Sequence, residues 1–164
     1  MLARLDHWIY HATAFIVIVL MAVMTAVIGL QVFCRYALNA SLIWPEELAR
    51  YAMIWITCLA SGLAVRQASH MGIDSVVRRL PSPIRQAVVV GGHLLTLGFL
   101  GVVLVAGIGM VGRVAGQASV ALDLPMPIPY AAVPVGAALM FYEYIRLVVG
   151  WGGPEAPPAP LDIG

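Results

Sequence analysis

The chain has 164 residues, 62% hydrophobic and 10% charged, with a formal net charge of +1 and a mean hydropathy of +0.94. Soluble domains carry about one quarter charged residues, so the composition excludes a water-soluble globule and predicts an integral membrane protein. All nine basic residues are arginines; with no basic run and a net charge near zero, the chain lacks the field that holds a nucleic acid.

No Asp, Glu, Lys or Arg falls between Asp6 and Arg35. A spanning helix needs about 20 apolar residues, so a first span is predicted over about 8–33. The run is longer than the roughly 7–15-residue core of a signal peptide, and no small-x-small cleavage site follows closely. It therefore reads as a retained helix that also directs insertion. Ala22 and Ala26, and Thr25 and Gly29, lie four apart, a spacing that lets a second helix approach closely.

The second span, about 47–66, is short. The fifteen uncharged residues from Tyr51 to Val65 cover only about 22 Å at 1.5 Å per residue, against roughly 30 Å of hydrocarbon. Its charged ends must snorkel, sit among the headgroups or be shielded by protein. The third span, about 85–112, contains Gly91, Gly92, Gly98, Gly101, Gly107, Gly109 and Gly112, which permit close helix contact in a bilayer. The fourth, about 128–149, contains Pro134 as a candidate kink and carries Glu143 and Arg146 at its far end.

In the middle link, Ile73 to Leu80 suits a short interfacial helix, apolar on one side and basic on the other. The Pro- and Gly-rich tail, 152–164, is expected to be disordered. The predicted organisation is an all-α, four-helix transmembrane domain over residues 1–151 followed by that tail. With four spans, both termini share a side with the middle link. That side carries Arg4, Arg66, Arg78, Arg79, Arg85 and Arg146, against Arg35, Arg50 and Arg113 opposite, so the positive-inside rule puts both termini in the cytoplasm.

The polar chemistry is concentrated in Trp44-Pro45-Glu46-Glu47-Leu48-Ala49-Arg50-Tyr51. Glu46 and Arg50 are four apart and Glu47 and Arg50 three apart, both spacings that bring side chains together on a helix. With Pro45 in the first turn, the carboxylates meet the positive end of the helix dipole. Exposed pairs of this kind stabilise by only about 0.3–0.5 kcal/mol, so the bland reading is a helix start at the membrane surface. If the cluster is drawn into the bilayer it needs a partner protein or internal pairing, with Arg35 the obvious additional cation.

Cys34 and Cys58 read as small buried hydrophobes, and two cysteines are too few for a Cys-type metal site. His7 and His11 share a helix face without a third ligand; His93 lies one or two turns into the third span. The spans hold few polar groups (Thr13, Thr25, Gln31, Thr57, Ser61, His93, Thr96), whereas transport pathways use polar groups near the midplane. Neither a catalytic triad nor a phosphate-binding glycine loop appears. The residues describe a non-enzymatic helical subunit that supports something larger.

Arg35-Tyr36, then Trp44-x-Glu46-Glu47-x-x-Arg50-Tyr51, then Arg66-x-x-x-His70-x-x-x-Asp74 resemble the small membrane subunit (DctQ type) of tripartite ATP-independent periplasmic (TRAP) transporters. The spacing of the blocks, the four spans and the total length fit as well. Leu124-Pro125-Met126-Pro127 and Pro134-x-Gly136 resemble the family's entry into its last helix, and the likeness runs over about residues 5–148. Pro45 stands where the family has a Ser or Thr cap, and Ala60-Ser61 where it tends to have Gly-Ala.

The resemblance implies a multi-pass subunit of the bacterial inner membrane, with no cofactor. Its partners would be a large membrane subunit that carries substrate and sodium, and a periplasmic binding protein that delivers an organic acid such as a C4-dicarboxylate or sialic acid. The small subunit would brace the large one during sodium-driven uptake without ATP hydrolysis. On this reading Arg35, Trp44, Glu46, Glu47, Arg50 and Tyr51 fix the second helix at the periplasmic side and contact the large subunit. Arg66 heads the block in which His70 and Asp74 anchor the cytoplasmic link. The alternative from another class is a haem-binding or other redox membrane anchor using His93; a second is a stand-alone small transporter.

Overall fold

Long uncharged runs leave the backbone no partner in lipid but itself, so each closes its hydrogen bonds as a helix. The computed structural model describes residues 2–67 and 81–149. Their helices are α1 (Leu2–Ala37), α2 (Trp44–Gln67), α3 (Ser82–Arg113), the single turn α4 (Pro127–Tyr130) and α5 (Ala132–Val149). Among the described residues four stretches are long and apolar enough to cross a membrane: Asp6–Ala37, Trp44–Arg66, Ile84–Arg113 and Pro127–Val149, the last combining α4 and α5. The protein is thus a multi-pass, all-helical membrane protein. Among the described residues the only β pairing is an isolated antiparallel bridge between Ala118 and Pro125. The link in which an interfacial helix is expected, 68–80, and the tail from 150 lie outside the described residues.

The helix ends follow local chemistry. α1 stops where Asn39 takes a left-handed φ of 46°, a conformation Asn tolerates better than most residues. This lets the Ala40 N–H reach back to the Cys34 carbonyl at 3.0 Å, closing the end as a left-handed cap does. The last span is interrupted at Ala131 rather than smoothly bent. Pro134 has no N–H to offer the carbonyl four residues earlier, at Tyr130, and the helix resumes with the Val135 N–H on the Ala131 carbonyl at 3.1 Å.

The spans pack in the order α1–α2–α5–α3, with α1 and α3 at the two ends. The arrangement is an open series of helices rather than a closed bundle. α1 meets α2 along Thr13, Val17, Leu20, Met24, Val27, Gln31 and Cys34, all buried or half-buried and separated by three or four residues, the spacing of a left-handed helix pair. Ala22, Thr25, Ala26 and Gly29 lie on the opposite, exposed side. Among the described residues that small-residue face is therefore not used, and a side chain at Gly29 would meet none of them within 4 Å.

Close approach happens elsewhere. A Cβ on Gly136 would sit 2.6 Å from the Cys58 Cβ, and one on Gly107 3.1 Å from the Pro134 ring. Those contacts bring α5 against α2 and α3 against α5. Among the described residues, only Gly107 of the seven glycines in α3 faces a neighbour; a Cβ on the other six would meet none of them within 4 Å. A hydrogen bond between His93 Nδ1 and the Tyr144 hydroxyl, 2.9 Å, adds a polar pin to the α3–α5 contact. The buried core is rich in alanine, with Ala49, Ala52, Ala132 and Ala137 beside Leu59, Leu100 and Val114, while large side chains such as Phe15 and Val102 are exposed, as lipid contact requires.

Candidate functional site

Polar side chains gather at the two ends of the helix series. At one end α2 begins with Trp44, half-buried, and Pro45, fully buried. Pro45 occupies the first turn, where its missing N–H leaves no intrahelical bond unmade. Glu46 and Glu47 follow in that turn and take different roles.

Glu46 receives Arg50 at 3.0 Å, with side chains 71% and 62% exposed. Glu47 turns inward. Its Oε1 accepts the Tyr51 hydroxyl at 2.6 Å, one turn along the same helix. Its Oε2 accepts the backbone N–H groups of Ala121 at 2.8 Å and Leu122 at 3.2 Å. The Tyr51 oxygen also lies 3.7 Å from the Met126 sulfur. The sequence spacing groups Glu47 with Arg50; the structure instead hands it to a loop 74 residues away, because two convergent amide donors complement a carboxylate better than one exposed guanidinium.

That loop is built to present its amides. Ser119 N–H bonds the Leu124 carbonyl at 2.8 Å and Met126 N–H the Gln117 carbonyl at 2.9 Å, while the Ser119 hydroxyl accepts the Leu124 N–H at 3.3 Å. Asp123 adopts a left-handed φ of 52° at the turn. Arg35 stays apart from the cluster: its guanidinium stands 5.9 Å from the Tyr36 ring and forms no ion pair among the described residues.

At the other end of the series, Asp6 of α1 sits between two guanidiniums. Arg146 of α5 donates to it at 2.6 Å, and Arg66 of α2 reaches its two oxygens at 3.4 and 3.3 Å. Glu143 accepts from Arg146 at 3.2 Å and lies 3.7 Å from Arg66. The four side chains are between 6% and 15% exposed. Arg66 also stacks 4.5 Å from the centre of the Tyr10 ring, and the Tyr142 hydroxyl lies 3.5 Å from Asp6. Buried charges are tolerated only when paired in this way. The pairing also places the N-terminal end of α1 and the C-terminal end of α5 at one end of the series.

Of the sequence-predicted residues, Trp44, Glu46, Glu47, Arg50 and Tyr51 share the first end and Arg66 lies at the second. His70 and Asp74 lie outside the described residues. Sequence reasoning missed Asp6, Tyr10, Tyr142 and the loop amides, and gave Glu143 and Arg146 no partner beyond their own helix. A signal existed for the charges. Asp6, Arg66, and Glu143 with Arg146 each mark the same-side end of a span, and opposite charges at one level pair. The amides carried none, since every non-proline residue has one. His7 and His11 meet edge to face on α1, ring centroids 4.0 Å apart, at the opposite end of the series from His93 on α3, so neither faces His93.

Residues 24–151 match the family model described as tripartite ATP-independent periplasmic transporters, DctQ component. The chain belongs to the DctQ family. A C4-dicarboxylate TRAP transporter small permease protein of Rhodobacter capsulatus is 29% identical over 113 residues, 68% of this chain and 50% of that protein. A sialic acid TRAP transporter small permease protein of Vibrio cholerae is 26% identical over 133 residues, 81% of this chain and 77% of its own length. An isethionate TRAP transporter permease protein, DctMQ, of Oleidesulfovibrio alaskensis is 32% identical over 115 residues, 68% of this chain but only 18% of that protein. The chain thus spans half of the first relative and most of the second. DctQ membership assigns it to transport, and the redox-anchor alternative is not favoured.

Proposed function

We propose that this DctQ-family chain is the small bracing subunit of a TRAP transporter in the bacterial inner membrane, both termini in the cytoplasm. Its partner is a large permease subunit that carries substrate and sodium. A periplasmic binding protein supplies an organic acid of the C4-dicarboxylate or sialic acid kind. The observation that carries the reading is the polar fastening at both ends. Glu47 ties α2 to the loop before α4, and Asp6, Arg66, Glu143 and Arg146 tie α1, α2 and α5 together. Groups engaged in internal pairs hold helices in fixed relation, which suits a static support beside a moving partner. The DctMQ relative, matched over less than a fifth of its length, fits a small part of this kind working beside a larger permease.

In this reading Trp44, Glu47 and Tyr51 fix α2 at the periplasmic end. Arg35, Glu46 and Arg50 face the large subunit, and His70 and Asp74 anchor the cytoplasmic link behind Arg66. The test is co-purification from native membranes followed by uptake in proteoliposomes supplied with the binding protein. The expected result is one large polytopic partner at equal stoichiometry and sodium-dependent uptake that fails when this chain is left out. A chain that emerges alone, or uptake indifferent to its presence, overturns the proposal.

A further inference from the structure

We infer that the cleft below the His93–Tyr144 hydrogen bond holds the headgroup and first methylenes of one acidic phospholipid, its phosphate on Arg85. On α3 the residues His93, Leu97, Leu100, Leu104 and Gly107 are buried or half-buried. They are separated by four, three, four and three residues, so they share one helix face. His93 and Gly107 show that this face meets α5, through Tyr144 and Pro134. One turn back the same line reaches Val89, and a turn further it runs between Arg85 and Gln86. α5 does not follow it there. Every residue from Ile84 to Gly92 is exposed, and past Tyr144 the apolar residues of α5, Ile145, Leu147, Val148 and Val149, are exposed as well. The two helices part below the hydrogen bond, and a cavity of about 420 Å³ is lined there by Arg85, Gln86, Val89 and Val90.

The cavity changes polarity along the helix axis. Arg85 and Gln86 open it at the end of the series that holds Asp6 and Arg146. Val89 stands four residues beyond Arg85, and Val90 four beyond Gln86, so each valine lies above its polar neighbour. Leu94, 66% exposed, continues the second row toward the membrane interior. A guanidinium and an amide at the mouth, with an aliphatic wall behind, follow the order of groups in a phospholipid: phosphate outermost, acyl chain inward.

Charge and depth name the occupant. Arg66 and Arg146 are engaged by Asp6 and Glu143, Arg50 by Glu46, and Arg113 by the Gly109 carbonyl at 3.3 Å. Arg85 has no hydrogen bond, ion pair or ring contact among the described residues. From Arg85 to Arg113 is about 42 Å of helix, against about 30 Å of hydrocarbon and about 40–45 Å with the headgroups. Both guanidiniums therefore stand in the phosphate layers. A planar guanidinium takes phosphate oxygens two at a time, and basic pockets at membrane helices select acidic headgroups. The described lining holds one cation and no carboxylate. The complementary phosphodiester is one that carries no ammonium of its own, so an acidic lipid fits better than a zwitterionic one.

The test is native mass spectrometry of the full chain in detergent, titrated with phosphatidylglycerol and, separately, with phosphatidylcholine. The expected result is one phosphatidylglycerol retained at concentrations where phosphatidylcholine is not. Arg85→Gln, and Val89→Trp, which fills the cavity, are each expected to weaken that retention at least about tenfold. Arg113→Gln, at the other end of the same helix, is expected to leave it unchanged, and inorganic phosphate, which has no acyl chain, is expected not to displace the lipid. Because Arg85 contacts none of the described residues, the lipid-free melting temperature of Arg85→Gln is expected to match that of the unsubstituted chain, which separates loss of the site from loss of the fold. Equal retention of the two lipids, retention indifferent to Arg85→Gln, an equal loss in Arg113→Gln, or displacement by inorganic phosphate overturns the inference. In native membranes a photo-reactive residue at Val90 is expected to yield a phospholipid adduct; adducts with protein alone count against a lipid in the cleft.

Discussion

Replacing Glu47 tests the tie between α2 and the distant loop most directly. Its carboxylate takes three hydrogen bonds, from Tyr51, Ala121 and Leu122. Bonds to a charged group contribute about 1.5–3 kcal/mol each. The site lies at the end of a helix and is only part-buried, so water replaces some of the loss. Glu47→Ala is then expected to destabilise by about 3 kcal/mol, equivalent to one or two of those bonds. Glu47→Gln keeps an oxygen for the two amides and an amide group for the Tyr51 oxygen, and is expected to cost about 1 kcal/mol. Tyr51→Phe removes one bond of three and leaves the loop held.

Two assays read this. Thermal unfolding in detergent is expected to fall by about 6–12 °C for Glu47→Ala and about 2–4 °C for Glu47→Gln, at roughly 2–4 °C per kcal/mol for a chain of this size. Hydrogen exchange is the sharper measurement. The Ala121 and Leu122 amides are expected to exchange about two orders of magnitude faster in Glu47→Ala and near the unsubstituted rate in Tyr51→Phe. Unchanged exchange at both amides in Glu47→Ala would refute the reasoning, because it would mean the carboxylate does not hold the loop.

Further outcomes are expected from the helix contacts and the ion pairs. Gly136→Ala sets a methyl against Cys58 at 2.6 Å and is expected to cost about 1–3 kcal/mol; Gly98→Ala, into open space, is expected to leave the melting temperature unchanged or slightly raised. Asp6→Ala leaves Arg66 and Arg146 to share the Glu143 carboxylate and is expected to cost about 2–3 kcal/mol, less than the full loss of a buried charge's partner. In a double-mutant cycle with Arg146→Met the combined loss is expected to be smaller than the sum; strict additivity counts against a direct interaction. Glu46→Ala, at the exposed pair, is expected to shift stability of the isolated chain by no more than about 0.5 kcal/mol.

Membrane class and the presence of four helices long and apolar enough to span were legible in the sequence. Apolar runs of spanning length admit one backbone solution in lipid, and that constraint acts locally. The position of the polar cluster at the start of α2 was legible for the same reason, as was the likeness to the DctQ type carried by its motif blocks. Helix-to-helix arrangement was not. Spacing of Ala22, Ala26, Thr25 and Gly29 marks a face able to pack closely, but it does not say whether that face is used. The tertiary structure leaves it outward and puts the tight contacts at Gly136 and Gly107, because which glycine meets a neighbour depends on how whole helices cross.

The partners of the charged residues divide in the same way. Glu46–Arg50 is a contact within one helix, so its spacing alone specified it. Glu47 lies equally well placed for Arg50, yet its carboxylate is taken by two backbone amides that only a folded loop can aim at it. The pairing of Asp6 with Arg66 and Arg146 needed three helices brought to one level. A sequence determines what each segment must do to satisfy its own backbone in a bilayer; which side chains then meet is decided by packing between segments, where the competing partners are far apart in the chain and equal in kind.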